Sequence, residues 1–175
     1  MKQKIRNALL ISLLLASGSS LLADEDLRLE SEKAIDALKN ADSGLTNYFS
    51  RAAGFAIFPS VGKVGFIFGA EHGNGVVYEK SKPVGEVTLT EINVGAQAGG
   101  QTFYEVIFFE TAEALANFKE SNFEMSAKVN AAIAAEGASL NARYQEGVMV
   151  FTLSKTGLMA QATVGGQKFK YKPLN

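Results

Sequence analysis

The chain has 175 residues and no cysteine, and its 17 basic and 18 acidic residues give a formal net charge of −1. This length, with a hydrophobic content of 47%, predicts one domain with a sizeable core. The absence of cysteine excludes disulfides, thiolate metal sites and an acylated lipoprotein cysteine, and the near-neutral charge argues against nucleic acid as a partner.

The first 23 residues have the three parts of a secretory signal peptide. A basic segment precedes an apolar run at 8–16, and small residues follow before the acidic start at Asp24. The apolar run is shorter than the roughly 20 residues that a membrane-spanning helix needs, which favours cleavage over an uncleaved anchor. We therefore expect cleavage after Ala23, export to the periplasm or out of the cell, and a mature domain over 24–175.

Residues 24–47 predict an amphipathic helix, because their apolar side chains recur at helical spacing and Gly44 can end the helix. The apolar positions are Leu27, Ala34, Ile35 and Leu38. A surface helix that packs this stripe on a sheet is the favoured arrangement. A membrane-facing helix is the alternative, but the polar face is mixed and acidic, whereas an interfacial helix is rich in Lys and Arg.

The most regular alternation of apolar residues and glycines lies over 54–80, and it predicts a β-hairpin. Over 63–70 the bulky residues fall on one strand face, and Lys63, Gly65, Ile67 and Gly69 fall on the other, nearly bare face. Residues 71–75 are of types that tolerate positive φ, so we expect the turn of the hairpin there. Gly65 and Gly69 predict sheet curvature or a closely packed backbone, as in small barrels and sandwiches.

The chain after the hairpin predicts more strands and one short internal helix. The strand at 87–94 changes phase near residues 90–91, which predicts a bulge, and 103–109 is rich in β-prone residues. Thr111 is expected to cap a helix over 112–119, with Leu115 and Phe118 turned inward. Alternation favours a strand over 125–133, and a closing hairpin is expected to pair 148–153 with 158–164.

These elements predict an α+β fold. It is a single β-rich domain with a mostly antiparallel, curved sheet, barrel-like or sandwich-like. An N-terminal amphipathic helix and the one short internal helix complete it.

The last strand, 167–172, alternates so that Phe169 and Tyr171 face one way. Its other face carries Lys168, Lys170 and Lys172. Lysines on an edge strand discourage aggregation between sheets, and this interpretation is favoured because it needs no partner. The alternative is that the lysine row meets anionic lipid headgroups.

Patterns that would indicate catalysis are incomplete. Gly62-Lys63 lacks the rest of a P-loop, and the glycines at 73 and 75 complete only half of a dinucleotide fingerprint. His72 is the only histidine, which excludes a metal triad built on histidines. Glu105 and Glu110 have odd spacing on an apolar strand and so fall on opposite faces, which removes them as an acid/base pair. We therefore predict neither an enzyme nor a cofactor.

Several motifs carry a resemblance to a known family. Residues 52–66 have the form A-x-G-x-A-I-F-P-x-V-x-K-x-G-F, and G-x-G-V-V follows at 73–77. V-G-x-Q-x-G at 94–99, E-V-I-F-F at 105–109 and G-L-M-x-x-A-x-x-G-G-Q-K-F at 157–169 continue the pattern. From about residue 36 to its C-terminus, the chain resembles the SYLF domain family, in its secreted bacterial branch.

The resemblance implies a lipid-binding protein without catalytic activity, with actin-patch and phosphoinositide roles among eukaryotic relatives. One departure is that the tryptophan-serine pair common after the hairpin is missing, and residues 82–85 stand in that region. We expect a lipid-binding protein of the cell envelope that takes a phospholipid or phosphoinositide-like headgroup, an acyl chain or both. The candidate lipid contacts are Lys63, Gly65, Gly69, Lys168, Lys170 and Lys172. The alternative is a structural or protein-interaction module, including actin-binding-like activity, with a protein partner in place of a lipid or membrane surface.

Overall fold

The computed structural model describes residues 24–64, 68–94, 101–120, 123–155 and 164–174. The predicted signal peptide, Gly65 and most of the predicted strand at 158–164 lie outside these residues. The described elements in chain order are α1 (24–41), α2 (Leu45–Arg51), β1 (Gly54–Val64), β2 (Phe68–Glu79), β3 (Lys82–Val94), β4 (Gln101–Phe109), α3 (Ala112–Phe118), β5 (Phe123–Glu124), β6 (Ala131–Ile133), α4 (Ala138–Asn141), β7 (Val148–Ser154) and β8 (Lys168–Pro173).

All eight described strands belong to one sheet, in the order β5-β8-β3-β2-β1-β4-β7-β6. Strands β1, β2 and β3 form a meander, and β4 pairs with the other edge of β1. The pairs are antiparallel except for the short pair of β6 with β7, which is parallel. This confirms a single β-rich domain with a mostly antiparallel sheet.

The sheet curls strongly, as contacts between distant strands show. β1 and β8 are separated by two strands, which in a flat sheet would place them roughly 14 Å apart. The ring centroids of Phe58 on β1 and Phe169 on β8 are nevertheless 5.8 Å apart. Phe118 of α3 contacts both Phe169 and Phe109 of β4, with centroids at 5.1 and 4.7 Å. The sheet is therefore a half-barrel, and these rings fill its concave face.

Helices α1 and α2 cover the convex face. Ala34 and Leu38 of α1 are fully buried, and Leu27 and Ile35 are half-buried against the same core. Burying apolar side chains in this way supplies most of the stability of a short surface helix. The helix ends at residue 41, earlier than predicted, and Gly44 precedes α2 instead of ending α1.

Helix α3 agrees with its prediction. Its N-cap, Thr111, accepts a hydrogen bond at Oγ1 from the backbone N–H of Ala114 at 3.1 Å. Glu113 lies in the first turn, and Leu115 and Phe118 are buried. α2 and α4 were not predicted, so the described domain has more helix than the sequence indicated.

The predicted hairpin turn at residues 71–75 is wrong, because β2 runs straight through them. Gly73 pairs with Val61 of β1 on one side and Leu89 of β3 on the other. A Cβ built on Gly75 would lie 2.5 Å from the Ile57 carbonyl oxygen and 2.7 Å from Phe58 Cδ1. The glycines therefore serve close packing, not a turn.

The turn between β2 and β3 is made by residues that gave no turn signal. Lys80 and Ser81 have φ values of 50° and 63° and join the paired ends Glu79 and Lys82. Two successive residues with positive φ match the right-handed twist of the flanking strands. The cost of placing non-glycine residues there is offset by the long ladder that follows.

The predicted bulge at residues 90–91 is also wrong, since the ladder of β3 with β2 is regular there. The irregularities lie at Pro59 in β1 and beside Pro83 in β3. Proline has no backbone N–H to donate to a ladder, so the register shifts where it occurs. The two prolines were visible in the sequence as signals of irregular pairing. The phase change near residues 90–91 did not correspond to a bulge.

A continuous strand over 125–133 does not form. Only Phe123–Glu124 and Ala131–Ile133 are strands, and between them the Val129 N–H donates to the Ser126 carbonyl in a turn. Met125 and Val129 are buried all the same, which explains the apolar pattern. The predicted closing hairpin is wrong at residues 150–152 of β7. There β4 pairs with one edge of β7 and β6 pairs with the other, so no edge is left for a further strand.

Candidate functional site

At one end of the sheet, polar residues occupy paired positions of three neighbouring strands. Lys63 of β1 pairs with Glu71 of β2, which pairs with Glu91 of β3. Glu91 is only 5% exposed. Gly69 lies two residues before Glu71 in β2, opposite Asn93. Lys63 and Gly69 are therefore brought to the same end of the sheet, while Gly65 lies outside the described residues.

A hydrogen bond crosses the inside of the half-barrel from the middle of β4 to the start of β8. Gln167, directly before β8, donates from Nε2 to Oε2 of Glu105 on β4 at 3.2 Å, and both side chains are fully buried. Glu105 lies between Phe58 of β1 and Thr152 of β7, which is also fully buried. We call Glu91, Glu105, Thr152 and Gln167 the interior polar group.

The interior polar group is unusual because most of its surroundings are apolar. The concave core includes Leu89, Phe103 and Phe169. Placing a carboxyl group among such side chains costs free energy even when it is hydrogen-bonded. The arrangement can hydrogen-bond a polar group at the end of an apolar interior. Over the described ranges, no three His, Cys, Asp or Glu residues are placed to hold a metal ion.

From the sequence, Glu105 was considered only as a possible acid/base pair with Glu110. Its placement agrees with that analysis, because Glu105 is buried and Glu110 is exposed. The signal for a buried polar residue was present, since Glu105 occupies an inward position of a strand whose other inward residues are apolar. Gln167 gave no such signal, because its partner lies 62 residues away in sequence.

The middle of the concave face is filled by the protein's own side chains. Phe58 packs over Gly75, and a Cβ on Gly73 would lie 3.1 Å from Val61 Cγ2. At these two levels the bare strand face is thus a packing surface. Gly69, predicted to be bare, lies nearer the polar end, whereas Gly65 lies outside the described residues. The lipid contacts proposed at both glycines stay predictions.

The three C-terminal lysines lie on one exposed face of β8, as the alternation predicted. Phe169 is buried and Tyr171 is half-buried on the other face. Lys168 Nζ lies 3.7 Å from Glu124, Lys172 is opposite Glu86, and Lys170 is opposite Thr88. β5 pairs with only two residues of β8, so the rest of this strand is an edge. Contact of this row with headgroups stays a prediction.

A cavity of about 570 Å³ lies on the convex side, between the start of α1 and strands β1 to β3. Its lining includes Asp24, Asp26, Glu30, Glu86 and His72. The hydrogen bond with Asp24, together with burial, raises the pKa of Glu86, although Lys172 and Arg28 oppose the shift. The carboxyl groups make this lining acidic, and Lys172 and Arg28 partly offset their charge. His72, predicted to lie in a turn, is an exposed residue of β2.

Comparison with known proteins relates part of this curled sheet to a known family. Residues 90–172 match the model of the Ysc84 family, described as Las17-binding protein actin regulator. This region therefore resembles the Ysc84, or SYLF, family, and the match confirms the predicted resemblance. The family is one of binding modules related to actin and lipid binding.

A curated relative is similar over a larger part of the chain than the family model is. Beta cell expansion factor A of Aeromonas veronii is 26% identical over 141 residues, which are 79% of this chain and 53% of that protein. The chain thus spans about half the length of this curated relative. The matched region of 90–172 contains the whole interior polar group and the lysine row.

Proposed function

We propose that this protein is a non-enzymatic lipid-binding protein of the cell envelope that takes a phospholipid or phosphoinositide-like headgroup, an acyl chain or both. The observation that best supports this is the interior polar group within an otherwise apolar concave face. Apolar walls with a few convergent polar groups are typical of ligand sites. Because buried charges contribute little to stability, their presence there favours a binding role.

The lysine row supplies a second contact in this proposal. Each Lys near an anionic bilayer contributes about 1 kcal/mol. Lys168 and Lys172 have carboxylates beside them, whereas Lys170 lies opposite a threonine. Lys170 is therefore expected to contribute most to headgroup contact.

Placement in the envelope rests on the predicted signal peptide. Within the described residues, no helix has the length and apolar character needed to cross a membrane. The predicted export and cleavage after Ala23 would deliver a mature domain that meets lipid from outside the cytoplasm. N-terminal sequencing of the purified protein tests this step, and an intact Met1 on membrane-extracted protein would contradict it.

A protein-interaction module is the second candidate function. It is favoured by the filled middle of the concave face, where Phe58 and Val61 occupy the space above Gly75 and Gly73. The description of the matching family as an actin regulator is in line with it. In this case the polar group and the glycines would serve sheet curvature and strand order alone.

Native mass spectrometry of the mature protein, 24–175, tests the proposal directly. Lipid that co-purifies with the folded protein is the expected result. Glu105→Gln keeps the shape of the side chain and removes its charge, so it should change the lipids retained while leaving the fold intact. A protein that carries no lipid and does not float with vesicles of any headgroup would overturn lipid binding in favour of the second candidate.

A further inference from the structure

Helix α4 carries the most exposed large apolar side chain among the described residues. Leu140 is 75% exposed, compared with 51% for Leu29 and 37% for Ile133. Single exposed leucines are common on protein surfaces, so exposure alone indicates nothing. The surroundings of Leu140 set it apart.

The backbone next to Leu140 is held in place by buried hydrogen bonds. Asp42 accepts from the N–H of Ser139 at 2.6 Å and from its Oγ at 2.9 Å. The Tyr48 hydroxyl donates to the Ser139 carbonyl oxygen at 3.0 Å. Gly137, with φ of 83°, directs the chain into α4. Leu140 therefore projects from a fixed part of the surface, and exposing it requires no rearrangement. We call α4 and the side chains around Leu140 the corner.

The side chains around Leu140 combine aromatic and charged groups. A groove of about 520 Å³ beside it is lined by residues that include Tyr48, Tyr144, Arg51 and Glu110. Arg143 Nη1 donates to the carbonyl oxygens of Leu140 and Ala142, at 3.1 and 2.7 Å. Tyrosine and arginine have apolar bodies and polar tips, and both suit the boundary between hydrocarbon and water.

The charges of this corner balance one another. Arg51 and Arg143 are matched by Glu110 and by Glu136, which accepts hydrogen bonds from Ser43. With the buried Asp42 counted as well, the corner has no excess of positive charge, so it does not attract an anionic surface. A zwitterionic surface is the charge-complementary partner. The lysine row of β8 is different, because its three positive charges favour anionic lipid.

The apolar area of the corner is also too small for a protein partner. A stable protein interface buries about 800 Å² on each side. One protruding leucine beside a polar groove falls well short of an interface core, whereas a bilayer can take up a single apolar side chain. This difference in required area favours a lipid surface over a second protein.

We propose that Leu140 inserts into the acyl region of a zwitterionic bilayer, while Tyr48, Tyr144, Arg51 and Arg143 stay among the headgroups. This rests on the proposed lipid-binding function, and it assigns the contact to a surface separate from the lysine row. It also predicts that association through this corner is insensitive to salt, because insertion and not charge carries it.

Tryptophan fluorescence tests the insertion, because the chain contains no tryptophan. Leu140→Trp places a single reporter at the tip of the corner. With phosphatidylcholine vesicles whose acyl chains are brominated, we expect a blue shift and strong quenching of its emission, unchanged by added salt. Leu140→Ala should weaken partitioning roughly tenfold, because most of the inserted apolar area is lost. Its melting temperature should not change, since the side chain is already exposed.

Leu29→Trp is the matched control, because Leu29 is the next most exposed leucine and lies on α1. Its emission should stay unshifted and unquenched. If the wild type binds vesicles while the Leu140→Trp emission stays unchanged, the corner is not the contact and lipid binding survives. If the wild type binds no vesicle at all, the proposed function fails too. A shift that appears on raising protein concentration without vesicles would indicate a second copy of the chain and overturn the insertion.

Discussion

Two buried carboxylates, Asp42 and Glu105, lie on opposite sides of the same sheet and are held in different ways. Asp42, in the connection between α1 and α2, accepts hydrogen bonds from its near neighbour Gly44 and from Ser139. Glu105 is bonded to Gln167, which reaches it across the inside of the half-barrel. Backbone donors arranged around Asp42 are typical of a structural cap, whereas Glu105 is buried among apolar side chains, where a carboxyl group costs free energy to desolvate.

The two carboxylates therefore have different expected roles, one in the stability of the fold and one in binding. Asp42 fixes the corner from which Leu140 projects, so its contribution is to the folded structure. Glu105 stands where a hydrogen-bonding ligand could be met, so its contribution is expected to be to binding. Substitutions at the two sites should therefore act on different measurements.

The largest effect on stability is expected for Asp42→Ala. It removes a charged acceptor and leaves the buried N–H and hydroxyl of Ser139 without it. Hydrogen bonds to charged groups contribute about 1.5–3 kcal/mol each, so we expect a loss of about 3 kcal/mol or more in the free energy of unfolding. Urea denaturation measures this loss. Ser43→Ala, at the exposed neighbour, is the control and should cost under about 1 kcal/mol; equal effects would refute the structural role of Asp42.

Valine at Gly75 should give the next largest loss, because its Cβ would meet the Ile57 carbonyl oxygen and Phe58. Overpacking of this kind costs about 1–3 kcal/mol. Gly62→Val is the matched control, since among the described atoms only the His72 carbonyl oxygen lies within reach of its Cβ, at 4.0 Å. The melting temperature should fall for Gly75→Val and hold or rise for Gly62→Val.

Gly69→Val tests whether the concave face is filled at the polar end as well. A loss like that at Gly75 would mean that the concave face is filled there as well. An unchanged melting temperature would mean open space beside the interior polar group, as the proposed ligand site requires. Thermal unfolding of the two variants, measured side by side, distinguishes these outcomes.

These glycines also show how far sequence reasoning could go. The helix after Thr111 was confirmed, because it depends on a local pattern. The single strand expected over 63–70 is wrong, since Val64 of β1 pairs antiparallel with Ala70 of β2 and the chain reverses between them. Residues 71–75 were taken for a turn because glycine has two uses, positive φ and close packing, and only the neighbouring strands decide between them. Lys80 and Ser81 make the real turn without the glycine or asparagine that positive φ favours.

The candidate site was less predictable than the fold for the same reason. The lysine row follows from alternation within one strand, and it was predicted. The bond between Glu105 and Gln167, and that between Asp42 and Ser139, join residues 62 and 97 positions apart. Curling of the sheet and docking of α4 create these contacts, and no local pattern reports them.

The pH dependence of stability tests the role of Asp42 independently of substitution. Burial opposes ionisation of Asp42, but hydrogen bonds from Ser139 and Gly44 outweigh it and hold its pKa below the usual value. A carboxyl with a lowered pKa in the folded state stabilises fully above its unfolded pKa, and this contribution is lost as the pH falls through the folded pKa. Unfolding free energy should therefore decrease on acidification below about pH 4, and Asp42→Asn should flatten that decrease. An identical slope in the variant would assign the acid sensitivity to other carboxyls.

Glu105→Gln should have the opposite profile to Asp42→Ala. Replacing a buried carboxylate by an amide of the same shape removes its desolvation cost, so stability should stay within about 1 kcal/mol or increase. Chemical denaturation gives the stability, and native mass spectrometry gives the lipid retained. A large loss of stability with unchanged lipid would reverse the assignment and make Glu105 the structural carboxylate.

The lysine row gives the smallest effect on stability and tests the surface contact alone. Lys168→Gln, Lys170→Gln and Lys172→Gln together should leave the melting temperature nearly unchanged, since all three side chains are exposed. At about 1 kcal/mol for each lysine, and less where Glu124 and Glu86 lie alongside, binding to anionic vesicles should weaken by roughly one to two orders of magnitude.

Two controls identify the cause of that change. Arginine at the three positions should preserve binding, and glutamine at the exposed Lys33, Lys82 and Lys128, which makes the same change in net charge, should have little effect. Added salt should weaken the wild type as the glutamines do, because exposed charges are screened. If binding to anionic vesicles persists in the triple variant and ignores salt, the row serves only to protect the edge of β8, and the corner at Leu140 becomes the surface through which the protein meets lipid.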